Sequence, residues 1–125
     1  MIQIYTTPSC ASCRKAKKWF DQYKIPYSEK NIFSIKLSKE DIFKMLANSE
    51  NGFDDIISTR SKVFKEKQLE PDNMTIQELV DFIIENPSVL KRPIIINENE
   101  LQVGYNNEDI TIFLPKELRN RECFN

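Results

Sequence analysis

The chain has 125 residues, 40% hydrophobic and 30% charged, the size and composition of one folded domain and not of a disordered segment. Its 18 Lys and Arg against 19 Asp and Glu leave a net charge of -1, so no whole-chain basic field exists to hold bare DNA, although local patches can form. The absence of histidine excludes Ser-His-Asp and Cys-His catalysis, histidine-bearing zinc sites and a histidine pH switch.

Ile2 to Tyr5 alternates and is β-rich, and Thr6-Thr7-Pro8-Ser9 ends it, which predicts a strand running into a turn. Ala16, Trp19, Phe20 and Tyr23 then recur at helical spacing and predict a helix over 12–23, with Arg14, Lys15, Lys17 and Lys18 on its other face. Pro26 follows the helix, and Tyr27 to Ile32 reads as a second strand. Strand, helix and strand in so short a stretch make a parallel, right-handed βαβ unit.

Periodicity changes after Ser38. Ser38 with Asp41 reads as a capping box ahead of Ile42, Phe43 and Leu46, and Asn51-Gly52 as the turn that closes that helix. A short segment with Phe53, Ile56 and Ile57 follows. Ser58-Thr59 offers a cap for a helix over 60–67, anchored by Phe64. Pro71-Asp72-Asn73 breaks the chain, Thr75 and Glu78 form a second capping box before Leu79, Phe82 and Ile83, and Asn86-Pro87 suits a restart with proline at the first helical position. Strand character returns at Pro93 to Ile96 and pairs back through Leu101 to Gly104 as a hairpin. Asn107, Glu108 and Asp109 cap a last helix carrying Ile110, Phe113 and Leu114, interrupted by Pro115. The expected fold class is α/β, an open mixed sheet ordered β-α-β, helices, then β-β-α, with residues 1–37 and 91–125 forming the sheet part and 38–90 a helical insert. No apolar run approaches a membrane span, and the start Met1-Ile2-Gln3-Ile4 lacks the basic and apolar regions of a signal peptide, so the expected location is cytoplasmic.

The chemistry is expected at Cys10-Ala11-Ser12-Cys13. With Cys123 these are the three cysteines, too few without histidine for a four-ligand zinc site in one chain, so no metal or cofactor is expected, although a site shared between two chains or completed by a carboxylate is conceivable. The pair falls where the first strand gives way to the first helix. Unpartnered N–H groups at a helix start favour a thiolate, and Arg14, Lys15 and Lys17 add positive charge. Cys10 is expected at the exposed turn and Cys13 as the resolving thiol. Two ordinary buried cysteines are the plain alternative. A redox pair of this kind either transfers electrons, as in a dithiol oxidoreductase, or stores a signal, and Ala11-Ser12 between the sulfurs does not decide between them.

Several stretches carry a family resemblance: Cys10-Ala-Ser-Cys13-Arg-Lys-Ala16, Asn31-Ile-Phe-Ser34, Ile56-Ile-Ser-Thr-Arg-Ser-Lys-Val-Phe64, Lys91-Arg-Pro-Ile-Ile-Ile96, Leu101-Gln-Val-Gly-Tyr-Asn106 and Phe113-Leu-Pro115. Together they resemble the Spx family within the arsenate-reductase-like (ArsC) group. The resemblance implies a thioredoxin-like fold with a helical insert. It implies a redox-sensing regulator of thiol and oxidative stress genes, one that binds the C-terminal domain of the RNA polymerase α subunit and meets promoter DNA only in complex with polymerase. It also implies regulated proteolysis by an ATP-dependent protease.

By the same resemblance Cys10 and Cys13 are the redox switch, Gly52 lies at the polymerase contact, and Arg60 and Arg92 lie near the redox site, Arg92 ahead of a cis proline that faces the cysteines. An arsenate-reductase-like enzyme is the alternative. Against it stand the second cysteine at this turn and Tyr105 near the place of a third oxyanion-binding arginine.

The residues also have plainer readings. Gly52 suits a left-handed turn closing a helix. Arg60 sits in a polar run and, by itself, reads as solvated or salt-bridged surface. The basic stripe from Arg14 to Lys18, Lys62 with Lys65 and Lys67, and Lys116 with Arg119 and Arg121 are solvated faces that a partner could bring against DNA phosphate. Cys123 reads as a free thiol or a site for mixed disulfides.

Overall fold

The computed structural model describes residues 1–58 and 61–116. Strand β1 (Ile2–Thr6) leads to helix α1 (Ala11–Gln22) and strand β2 (Tyr27–Asn31). Four helices follow, α2 (Lys39–Ala47), α3 (Phe53–Ile56), α4 (Lys62–Glu66) and α5 (Ile76–Glu85), with 3-10 turns at Pro71–Asn73 and Pro87–Val89. Strands β3 (Ile94–Ile96) and β4 (Leu101–Val103) and a 3-10 helix at Asp109–Phe113 complete it. The sheet order is β2-β1-β3-β4, with β1 parallel to β2 and both other pairs antiparallel. The expected mixed α/β sheet is thus present, with strand–helix–strand at one edge and the hairpin at the other. None of the described helices is long and apolar enough to cross a membrane.

Alternation along β1 and β3 divides the core. Ile4 and its partner Ile95 face a cluster built with Ala16, Trp19, Phe20, Ile110 and Phe113. Tyr5, Ile94 and Ile96 face the other way, into a cluster with Ile42, Met45, Ile56, Phe64, Ile83 and Leu90. Helices α2 to α5 therefore form a layer over one sheet face, and α1 with the last 3-10 helix covers the other. The period of two in a strand puts adjacent isoleucines into opposite layers.

Both expected capping boxes form. Ser38 Oγ accepts from Asp41 N at 3.1 Å while the Asp41 carboxylate accepts from Ser38 N at 2.9 Å. Thr75 and Glu78 repeat the exchange at 3.1 and 2.9 Å, and Pro87 sits in the first turn of its helix as expected. Helix α1 ends with Tyr23 as its cap, close to the expected boundary and ahead of Pro26, and Lys24 in left-handed backbone (φ 56°) closes it as a Schellman motif, Ile25 N bonding to Phe20 O and Lys24 N to Asp21 O. Three local expectations are corrected. The cap of α4 is Ser61, whose Oγ accepts from Val63 N at 3.4 Å. Gly52 opens α3 and does not close α2, which ends at Ala47 with Asn48 as its cap. The last helix is 3-10, and its first amides are held by Asn106 Oδ1, which accepts from Glu108 N at 2.8 Å and Asp109 N at 3.1 Å, in place of Asn107.

Candidate functional site: the cysteine corner

The corner forms because β1 must turn before α1 begins. Ser9 takes left-handed backbone (φ 61°), an unusual state for a residue with a side chain. Cys10 follows in extended backbone as the N-cap of α1, and its Sγ accepts from Cys13 N at 3.1 Å. The sulfur thus takes the place a serine or aspartate oxygen usually fills at a helix start. Cys10 and Cys13 are joined as a disulfide, with their α-carbons 5.2 Å apart, inside the span such a bond requires. Cys10 is half-buried and Cys13 is 2% exposed. This asymmetry makes Cys10 the sulfur an outside reagent meets first.

An open cleft of about 350 Å³ lies beside the pair, lined by loop residues Thr7 to Cys10 together with Cys13, Arg14, Lys17, Thr6, Glu29 and Asn31. Arg14 is exposed, as are Lys15 and Lys18 on the same helix. Lys17 is engaged: its Nζ lies 3.0 Å from Glu29 Oε2. The buried Thr6 hydroxyl donates to the same oxygen at 2.8 Å. These two hydrogen bonds hold the Glu29 carboxyl below the usual carboxylate range, Lys17 contributing most. Sequence reading missed Glu29. The signal was present: with Tyr27 packed on the aromatic layer, a period of two places Glu29 on the same face, beneath the basic helix.

Of the other expected site residues that are described, neither Arg92 nor Gly52 is among the residues that line this cleft. Arg92 precedes Pro93 across a cis peptide bond, and its guanidinium donates to Ser88 O at 3.5 Å; it does not line the cleft. Arg60, Arg119, Arg121 and Cys123 lie outside the described residues.

Gly52 belongs to the opposite layer. Its backbone (φ 64°, ψ -131°) is open only to glycine without strain, and a Cβ there would meet nothing within 4 Å. The turn around it is tied by Asp55, whose carboxylate accepts from Glu50 N and Asn51 N at 2.9 Å each and from Asn51 Nδ2 at 3.2 Å. Those bonds, Asn51's backbone first, hold the Asp55 carboxyl below its usual range. Among the described residues no group of three or more Cys, Asp or Glu is placed to hold a metal ion.

Comparison with known proteins matches residues 5–113 to the ArsC family. The chain is 50% identical over 119 residues to the global transcriptional regulator Spx of Listeria innocua, covering 95% of this chain and 91% of that protein. It is 49% identical over 120 residues to the Spx of Bacillus subtilis, covering 96% and 92%. Among solved structures, an ArsC family related protein from Bacteroides fragilis superposes with a TM-score of 0.74 at 26% identity, covering 86% of this chain and 92% of that one. An arsenate reductase from Vibrio cholerae gives 0.76 at 19% identity, covering 90% and 97%, a likeness of fold alone. Motifs, fold and relatives agree: the chain belongs to the Spx family, a branch of the ArsC family.

Proposed function

We propose that this chain is a redox-sensing regulator of transcription that docks on the C-terminal domain of the RNA polymerase α subunit, with the Cys10–Cys13 pair as its switch. The observation that carries the reading is the placement of both sulfurs at the start of α1, within bonding reach, with Cys10 half-buried and Cys13 buried. Closing the pair takes two electrons and two protons from two thiols. A diazene oxidant such as diamide accepts both and becomes the hydrazine, so the step balances without a cofactor. The partner is chosen on family grounds, since relatives about half identical over nearly the whole chain are named global transcriptional regulators.

The α-domain contact is assigned to the Gly52 turn. A glycine with open space over it leaves a bare backbone surface for a partner, and a long side chain would stand in the way. Promoter DNA is met through the complex, which suits a net charge of -1 with exposed Arg14, Lys15 and Lys18 as a local patch. The reading includes a cytoplasmic location and regulated proteolysis by an ATP-dependent protease. Arg60 and Arg92 are kept as residues that respond to the switch. The hydrogen bond from Arg92 to Ser88 O is the contact oxidation or reduction would exchange.

Binding of the purified protein to the isolated C-terminal domain of the polymerase α chain tests the partner. The wild type is expected to bind and Gly52→Arg to lose binding while remaining folded; equal binding by both would remove the docking assignment. Peptide mapping after mild diamide treatment is expected to find an internal Cys10–Cys13 link. A link to Cys123 in its place would require another mechanism. An arsenate-reductase-like or dithiol enzyme would instead turn over arsenate or insulin disulfides with a thiol donor, and rapid turnover would favour that reading.

A further inference from the structure

The ion pair beside the cysteines is placed to set how readily Cys10 reacts. Lys17 follows Cys13 by four residues, so the two share a face of α1, and helical side chains lean toward the N-terminus, here toward the sulfurs. Lys17 therefore stands on the Cys13 side of α1 and, with Arg14, is one of the two cations that line the cleft. Its ammonium does not stand free there. It lies 3.0 Å from Glu29, on the neighbouring strand β2, and the same oxygen is fixed from below by the buried Thr6 hydroxyl at 2.8 Å. Three elements thus converge on one carboxylate in the wall of the cysteine cleft, where the Lys17 and Glu29 side chains stay 29% and 39% exposed and the buried Thr6 hydroxyl anchors the shared oxygen. Among the described residues of that cleft the charged groups are Arg14 and Lys17 from α1 and Glu29 from β2; β1 and the loop after it contribute none.

We propose that Glu29 is a positioning residue that restrains the switch: by holding Lys17 in a neutral pair it withholds a positive charge from the Cys10 thiolate, leaving Arg14 and the helix start as its stabilisers. The inference rests on reading Cys10–Cys13 as the switch and adds a setting for its trigger. Removing the carboxylate frees the cation and raises the thiolate fraction. Removing the ammonium leaves a bare carboxylate and lowers that fraction. Removing both takes away a neutral pair and changes little. For charges a few side-chain lengths apart in a half-wet cleft, each single change is expected to alter the thiolate fraction about threefold.

The test is the pH dependence of iodoacetamide alkylation at Cys10 in the fully reduced protein, located by peptide fragmentation, for wild type, Glu29→Gln, Lys17→Met and the double variant. Below the titration midpoint, Glu29→Gln is expected to react about threefold faster than wild type, Lys17→Met about threefold slower, and the double variant close to wild type. These differences are expected to shrink in molar salt, as charge effects do. A structural role would move both single variants in one direction and the double variant furthest; that pattern, an unchanged Glu29→Gln, or differences that persist in molar salt would overturn the proposal. Circular dichroism confirms that each variant is folded, and Glu29→Asp supplies a variant that keeps the charge and is expected to stay near wild type. Because the assay reads only the reduced thiol, it stands or falls separately from any effect of the disulfide on polymerase.

Discussion

The two faces of the sheet are built from different materials. One carries an aromatic layer in which Phe20 meets Trp19 at 5.0 Å, Tyr27 at 5.7 Å and Phe113 at 5.9 Å between ring centroids. The other is mainly aliphatic, with Ile42, Met45, Ile56, Ile57, Ile83 and Leu90 buried around one aromatic pair, Phe64 and Phe82, at 4.8 Å. The cysteine corner sits at the helix start of the first layer and the Gly52 turn in the second. The proposed switch and the proposed docking surface thus lie in layers on opposite faces of the sheet, and β1 and β3 contribute to both layers. Tyr5 is one direct link: it is buried in the aliphatic layer on the strand that ends at the cysteine loop, and its hydroxyl donates to Asp41, the capping-box partner of Ser38 in the first turn of α2, at 3.3 Å.

If the layers share strands, they unfold together. Phe20→Ala on one face and Phe64→Ala on the other should each cost about 3–5 kcal/mol, the usual loss for a buried phenylalanine, and each should shift a single urea transition. Two separate transitions would break the picture of one core divided by alternation.

Gly52 sharpens the comparison by separating stability from docking. Gly52→Ala should cost about 1–2 kcal/mol, because the backbone there is strained for any residue with a Cβ. Gly52→Arg should cost little more, since the space beyond is open. Denaturant midpoints of the pair should therefore nearly coincide, while only arginine carries bulk into a docked partner. If Gly52→Ala lost α-domain binding as fully as arginine, backbone geometry and not obstruction would be the cause.

Tyr5→Phe probes the link between layers. Losing the hydroxyl, whose one proton is shared between Gln3 at 3.1 Å and Asp41 at 3.3 Å, should cost about 1 kcal/mol at neutral pH. Burial, with Asp41 beside it, raises the phenol well above its ordinary value of 10.0. The folded state then keeps a proton that the unfolded state gives up. That contribution is fully present below about pH 10 and falls as pH rises above it. Stability should decline more steeply there in wild type than in Tyr5→Phe, and equal slopes would remove the effect.

The smallest expected change is a gain. Lys24→Gly relieves left-handed backbone at the end of α1 and should stabilise by up to about 1 kcal/mol, read as a rise in Tm; a loss would mean that the lysine side chain carries an unseen contact.

Those positions also mark where the sequence was readable. Strand β1, the stripe of α1, both capping boxes and the hairpin follow from local pattern, and the cysteine corner from its position between strand and helix. Left-handed backbone at Ser9, Lys24 and Gln68 was not readable, because none is glycine and tertiary context imposes the conformation. Asn106 in place of Asn107, and Ser61 in place of Ser58-Thr59, are cap choices between adjacent side chains of equal chemistry, decided by where the chain turns. Gly52 was legible as a turn, but not which helix it serves. Glu29 became visible only when strand phase and helix face were put together.

Under the proposed switch, closing the Cys10–Cys13 bond changes what this chain does to polymerase. The most direct test is transcription in vitro from a thiol-stress promoter with purified polymerase, comparing diamide-treated, dithiothreitol-treated and Cys10→Ser protein. Transcript is expected to rise with the oxidised wild type and to stay low with the reduced and Cys10→Ser forms. Equal transcript from all three would contradict it.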